Sequence, residues 1–145
     1  MENEYLRHTL STIAYRFKKS VKNVDVEFGN FTLGKGSRTP NEIINHMYYV
    51  LSAARVYILE ERFQKELPEK LNLKSEIDRF NLELKNVDNI LADKDLGMNY
   101  SKRLLQGPFS DILTHIGQIS MLSRLNGNPI KGENFFSASI TTGIT

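Results

Sequence analysis

The feature that most constrains the fold is the spacing of the apolar residues. In four stretches they recur at three- and four-residue steps, the period of a helix face. No stretch alternates long enough to make a convincing strand. The clearest is residues 108–127, which has both a start and a stop. Pro108 suits a first helical position, and Asn126-Gly127 followed by Pro129 ends the run. Between them Phe109, Ile112, Leu113, Ile116 and Ile119 form the face toward the core.

Three further helices are expected. Residues 3–22 carry Tyr5, Leu6, Leu10, Ile13, Ala14 and Phe17 on one face. Lys18, Lys19 and Lys22 lie in the last turns, where cations suit the negative end of the helix dipole. His8 on this helix reads as a surface or boundary histidine. The second helix starts at Thr39-Pro40-Asn41-Glu42, a capping box with proline at the first helical position. It runs to about residue 65, with Ile43, Ile44, Met47, Val50, Leu51, Ala54 and Ile58 in one apolar arc and His46 at its edge. A third helix over residues 75–95 follows Ile77, Phe80, Leu84, Val87 and Leu91, with charged or amide side chains on its other faces.

The connections are less regular. Residues 23–38 contain a brief alternation at Val24, Val26 and Phe28, then a glycine-rich run, and read as an irregular crossover. The glycines lack the spacing and the following Lys-Ser/Thr of a phosphate loop. Residues 98–107 read as a surface loop. The tail, residues 130–145, is expected either to fold back over the helices or to be partly disordered. Four helices without a strand or an internal repeat, in a chain of 145 residues, imply a single all-α domain, a four-helix bundle spanning residues 1–145.

Composition narrows the function. The net charge of +2 and the lack of a dense basic patch give no support to a nucleic-acid partner. No apolar run approaches the ~20 residues of a membrane span, and Met1–Leu10 has no basic-then-apolar leader, so a cytoplasmic location is expected. With no cysteine, disulfides, thiolate ligands and a cysteine nucleophile are excluded. Ser110 and Ser120 lack the context of a nucleophile elbow.

One constellation carries chemistry. Asp111 and His115 are four residues apart, and Gln118 is three further on, so the three form one column on the fourth helix. Bundles build metal sites from facing helices, and the second helix offers His46. Two imidazoles and a carboxylate suit zinc, nickel or iron and leave positions for water or substrate. Gln118 could orient a water or a ligand histidine. The simpler alternatives are a hydrogen-bonded surface pair for Asp111 and His115, and a satisfied core-boundary histidine for His46.

The run from Asp111 through His115 to Gly117-Gln118-Ile119, with its Asn126-Gly127-Asn128-Pro129 stop, resembles the signature of the DinB-like (DinB/YfiT) family: histidine, three residues, histidine, one residue, Gly-Gln-Ile. The segment Arg38-Thr39-Pro40 to His46-Met47 resembles that family's second-helix start and its histidine. The resemblance covers roughly residues 3–132. It implies an up-down-down-up bundle, often a homodimer, with a divalent metal, commonly nickel or zinc, on one histidine of the second helix and two of the fourth. Carried over by position, the ligands are His46, Asp111 and His115, and Gln118 matches the family's glutamine. The resemblance also implies a thiol-dependent isomerase or transferase using a low-molecular-weight thiol such as mycothiol or bacillithiol. The departure is Asp111, where the family has histidine. Aspartate is shorter and charged, which alters metal preference, so iron or manganese also enter. It also leaves open a non-catalytic metal- or small-molecule-binding bundle of stress-response type, or an interaction bundle with a relic site.

Overall fold

Short polar side chains set where the helices begin. In a computed structural model, which describes residues 2–144, the Thr39 hydroxyl accepts the Glu42 N–H and the Glu42 carboxylate accepts the Thr39 N–H. That reciprocal box opens α2 (Pro40–Glu60). Asn72 caps α3 (Leu73–Asp93) by accepting the Ser75 N–H at 2.9 Å. The first helix, α1, is Glu4–Ser20. Val26–Asn30 is a 3₁₀ turn in the crossover, held by Asp25, which accepts the Glu27 and Phe28 N–H groups. Its alternating valines make no strand, and Phe28 is fully buried as an anchor for the crossover.

Two expectations need correction. The second helix stops at Glu60, where Glu61 turns into the left-handed region (φ 54°), and not near residue 65. The segment 98–107 is not a surface loop. It forms α4 (Met98–Leu104) and a π turn (Leu105–Phe109) that runs straight into α5 (Ser110–Leu125). Leu104 and Phe109 are both buried but lie five residues apart, a spacing an α-helix would splay by about 140°. The wider π turn brings both inward. Pro108 lacks an N–H, so the regular ladder fails there, and the Ser110 hydroxyl donates to the Leu105 carbonyl at 2.6 Å.

The molecule is all-helical, with no strand among the described residues. Each of α1 and α2 packs on both α3 and α5, so the core runs down the middle of a four-helix bundle. Leu10, Ile13 and Phe17 of α1 meet Ile44, Met47 and Leu51 of α2, Phe80, Leu84 and Leu91 of α3, and Ile112 and Ile119 of α5. Phe17 and Phe80 pack edge-to-face with centroids 4.8 Å apart.

Polar contacts fix the register. On α1 and α3, Asn3 reaches the Leu91 carbonyl, Arg7 pairs with Asp88, and Phe17 meets Phe80, an antiparallel pairing. On α2 and α3, Asn45 bonds Glu76, Arg55 pairs with Glu83, and Lys94 just past α3 donates to the Ile58 carbonyl, a parallel pairing. On α2 and the α4–α5 helix, His46 meets Asp111 while Tyr57 meets Tyr100, again antiparallel. Three carboxylates of α3 that sequence placed on polar faces are in fact buried. Glu76, Glu83 and Asp88 are each matched by an arginine, Arg79, Arg55 and Arg7. A buried carboxylate without such a partner would carry a large desolvation cost.

Of the two expectations for the tail, packing over the bundle is what the described residues show. Glu133 accepts from the Tyr15 hydroxyl and pairs with Lys19. Arg16 lies 3.8 Å over the Phe135 ring. Thr142 meets His8, and the Ile144 N–H donates to Asp88 at 3.1 Å. His8 itself is exposed, as expected. Among the described residues, no helix is long and apolar enough to cross a membrane.

Candidate metal centre

His46 projects from the second turn of α2, and Asp111 and His115 from the first turn and a half of α5. The antiparallel packing of these helices brings together the three residues singled out in sequence. Their candidate ligand atoms lie within 4.8 Å of one another. Asp111 Oδ2 is 3.2 Å from His46 Nε2 and 3.5 Å from His115 Nδ1. The two imidazole rings are 4.6 Å apart, centre to centre.

The local helix determines what each donor offers. His115 Nδ1 is 2.7 Å from the Asp111 carbonyl, one turn back, which assigns the proton to Nδ1 and leaves the Nε2 lone pair outward. Nε2 faces the Arg38 guanidinium at 3.4 Å. His115 is buried, whereas His46 and Asp111 are partly exposed. Burial holds the His46 pKa below its ordinary value. The hydrogen bond with Asp111 opposes that shift, and the positive charge of Arg38 reinforces it. His46 is therefore neutral at pH 7, the form that ligates metals.

The donor set fits a divalent transition ion. Ligand distances of about 2.0–2.2 Å put two donors on one ion at most about 4.4 Å apart. The observed spread of 4.8 Å is only slightly wider, so small rotations of the partly exposed His46 and Asp111 side chains, with Arg38 turned away from His115 Nε2, would close the set. Gln118 is exposed, lies outside the lining of the adjoining cleft and makes no hydrogen bond to the cluster.

His46 and Asp111 line a cleft of about 1900 Å³ between α2, the segment that follows it, and the α4–π-turn–α5 helix, with His115 buried behind them. Val50, Ala53 and Tyr57 form one wall, Phe63 and Leu67 a second, and Tyr100 and Leu104 a third. The Tyr49 hydroxyl donates to the Gln64 carbonyl at 2.9 Å and ties the 61–72 segment to α2. Sequence reasoning found the three donors but missed Arg38 and this cleft. In sequence Arg38 is only part of the second-helix start, and nothing in that motif points to His115. The Tyr100–Leu104 wall stands on the stretch that read as loop, although the two residues are four apart, a helical step.

Comparison with protein-family models, with curated proteins and with solved structures finds no match for this chain.

Proposed function

We propose that this chain is a DinB-like protein that binds a divalent metal through His46, Asp111 and His115. It would act in the cytoplasm, as a homodimer, as a thiol transferase or thiol-dependent isomerase. The observation that carries the reading is the meeting of three metal-type donors from two helices, with His46 and Asp111 lining a cleft large enough for a substrate. The order of helix pairings adds support: α1 antiparallel to α3, α3 parallel to α2, and α2 antiparallel to α5. Taken in sequence they give up, down, down, up, the order that the resemblance implies.

Nickel or zinc is the first expectation for the ion, with iron or manganese as alternatives given the carboxylate. When bound, the metal would supply Lewis acidity and favour the thiolate form of a low-molecular-weight thiol. The chain's own part is to orient and exclude. The Asp111 carbonyl holds the His115 tautomer, and burial keeps His46 neutral. The apolar walls keep water from an electrophile lying along α2.

A second reading rests on Asp111 and Arg38. Asp111 already bonds His46, and Arg38 occupies the lone-pair side of His115. A network satisfied in this way favours a binding bundle without turnover. Metal analysis of untagged protein, repeated with His46→Ala and His115→Ala, tests the site. A stoichiometric ion lost in both variants supports it. No ion after reconstitution with nickel, zinc, iron and manganese removes both metal readings. Turnover with a panel of low-molecular-weight thiols and an electrophile separates enzyme from binder.

A further inference from the structure

The cleft carries a small excess of positive charge in its lining once ion pairs are counted. Three carboxylates line it, each with a hydrogen-bond partner, but only Glu76 has a cationic one. Glu42 closes the α2 capping box, Glu76 pairs with Arg79 and accepts from Asn45, and Asp111 meets His46. Three cations also line it: Arg38, Lys70 and Arg103. Among the described residues none of these three has a carboxylate within ion-pair distance. The lining thus sets three cations that lack an ion pair against two carboxylates, Glu42 and Asp111, that lack one, a small positive excess.

Arg38 is the cation placed to use it. Its guanidinium reaches His115 Nε2 at 3.4 Å, a long contact to a neutral ring nitrogen that engages one of its five donors. Its backbone precedes the Thr39 cap, so a fixed helix start roots the side chain beside the donor cluster. A guanidinium binds a carboxylate through two parallel hydrogen bonds, a far better partner than one imidazole. Beyond the cluster the cleft turns apolar, along Val50, Ala53, Tyr57, Phe63, Leu67 and Tyr100. Phe63 and Leu67 are 78% and 81% exposed, so an occupant of the cleft would cover them.

We propose that the cleft takes an elongated apolar molecule with an anionic head, the head gripped by Arg38 beside His46, Asp111 and His115 and the body lying along the apolar walls. This rests on the reading of the cleft as the working site and names its ligand class. It assigns Arg38 as the specificity residue.

The test uses octanoate, octanol and octylamine as probes, measured by calorimetry on metal-free protein and again after zinc loading. Metal-free wild type is expected to bind octanoate more tightly than octanol, and octylamine least. Arg38→Ala is expected to weaken octanoate about 10- to 100-fold, the usual worth of a charge-assisted hydrogen bond, while octanol changes little. Arg38→Lys should recover part of the loss. An octanoate-to-octanol ratio unchanged in Arg38→Ala overturns the proposal, as does failure of wild type to bind either probe. Arg38 is exposed, and a thermal melt of each variant verifies the fold. Charge discrimination in protein that takes up none of zinc, nickel, iron and manganese would refute the metal reading and leave this one standing. Zinc uptake without discrimination would do the reverse.

Discussion

Thermal stabilisation by metal gives the sharpest test of the donor cluster, because its size can be worked out beforehand. A ligand that binds only the folded state at 100 times its dissociation constant adds about 2.7 kcal/mol. Unfolding entropy near the midpoint is about 2.1 cal/mol/K per residue, or about 0.3 kcal/mol/K for this chain of 145 residues. Zinc or nickel at that excess should therefore raise the melting temperature by about 9 °C. Removing a ligand should weaken binding at least as much as removing an outer hydrogen-bond partner does, up to about 100-fold. At the same metal concentration the stabilisation then falls to about 0.4 kcal/mol, a shift of only about 1 °C. Differential scanning fluorimetry on untagged wild type, His46→Ala, Asp111→Ala and His115→Ala reads both numbers. His8→Ala is the control, since His8 lies on α1 against Thr142 and away from the cluster. Asp111→His should keep or enlarge the shift, because imidazole restores a nitrogen donor. The reasoning fails if wild type shows no shift with zinc, nickel, iron or manganese, or if His8→Ala loses the shift as fully as the three site variants.

Three other perturbations test the frame around the site. Phe80→Ala removes the edge-to-face partner of Phe17 at zero exposure and should cost about 3–5 kcal/mol, measured by urea unfolding. Asp88→Asn leaves Arg7 without its counter-charge and weakens the anchor of the Ile144 N–H. It should destabilise by about 3 kcal/mol and speed proteolysis of the tail while the helices stay resistant. For the metal-free protein, the His46 pKa lies below its unfolded value, so the unfolded chain binds more protons as pH falls through 6.5. The His46 contribution is thus fully present above that pH and declines below it, and an NMR titration of its ring should have a midpoint under 6.5. A midpoint above 6.5 would mean that the bond to Asp111, and not burial, dominates there.

The parts of this molecule legible in sequence are those set by local pattern. The capping box at Thr39 and Glu42 and the apolar steps of α1, α2 and α3 are written in neighbouring residues, and the helices form where those patterns lie. Asp111 and His115 were readable as a pair because one turn of helix suffices to align them. What depends on long-range packing was not legible. The buried state of Glu83 follows from Arg55, 28 residues away, and nothing in the α3 pattern announces it. Arg38 meets His115 across 77 residues of chain. The loop assigned to 98–107 failed for a different reason. Proline at 108 and a five-residue apolar step are usual signs of a break, but tertiary burial of Leu104 and Phe109 carries the helix through them as a π turn.

That π turn bears directly on the candidate site. The helix it joins supplies two things at once: the apolar wall of the cleft, from Tyr100 and Leu104, and two of the three donors, from Asp111 and His115. In an uninterrupted α-helix, turning Phe109 into the core would swing Leu104 about 140° away from it, and Tyr100, one turn before, would follow. The wall would then leave its place opposite Tyr57, to which Tyr100 now packs at 5.9 Å. The extra width of the turn absorbs this mismatch just ahead of Asp111, so wall and donors face the same space. Single π turns inside α-helices are frequent at functional sites. Its position between the cleft wall and the donor pair is a physical reason, independent of residue type, to regard the two as parts of one site.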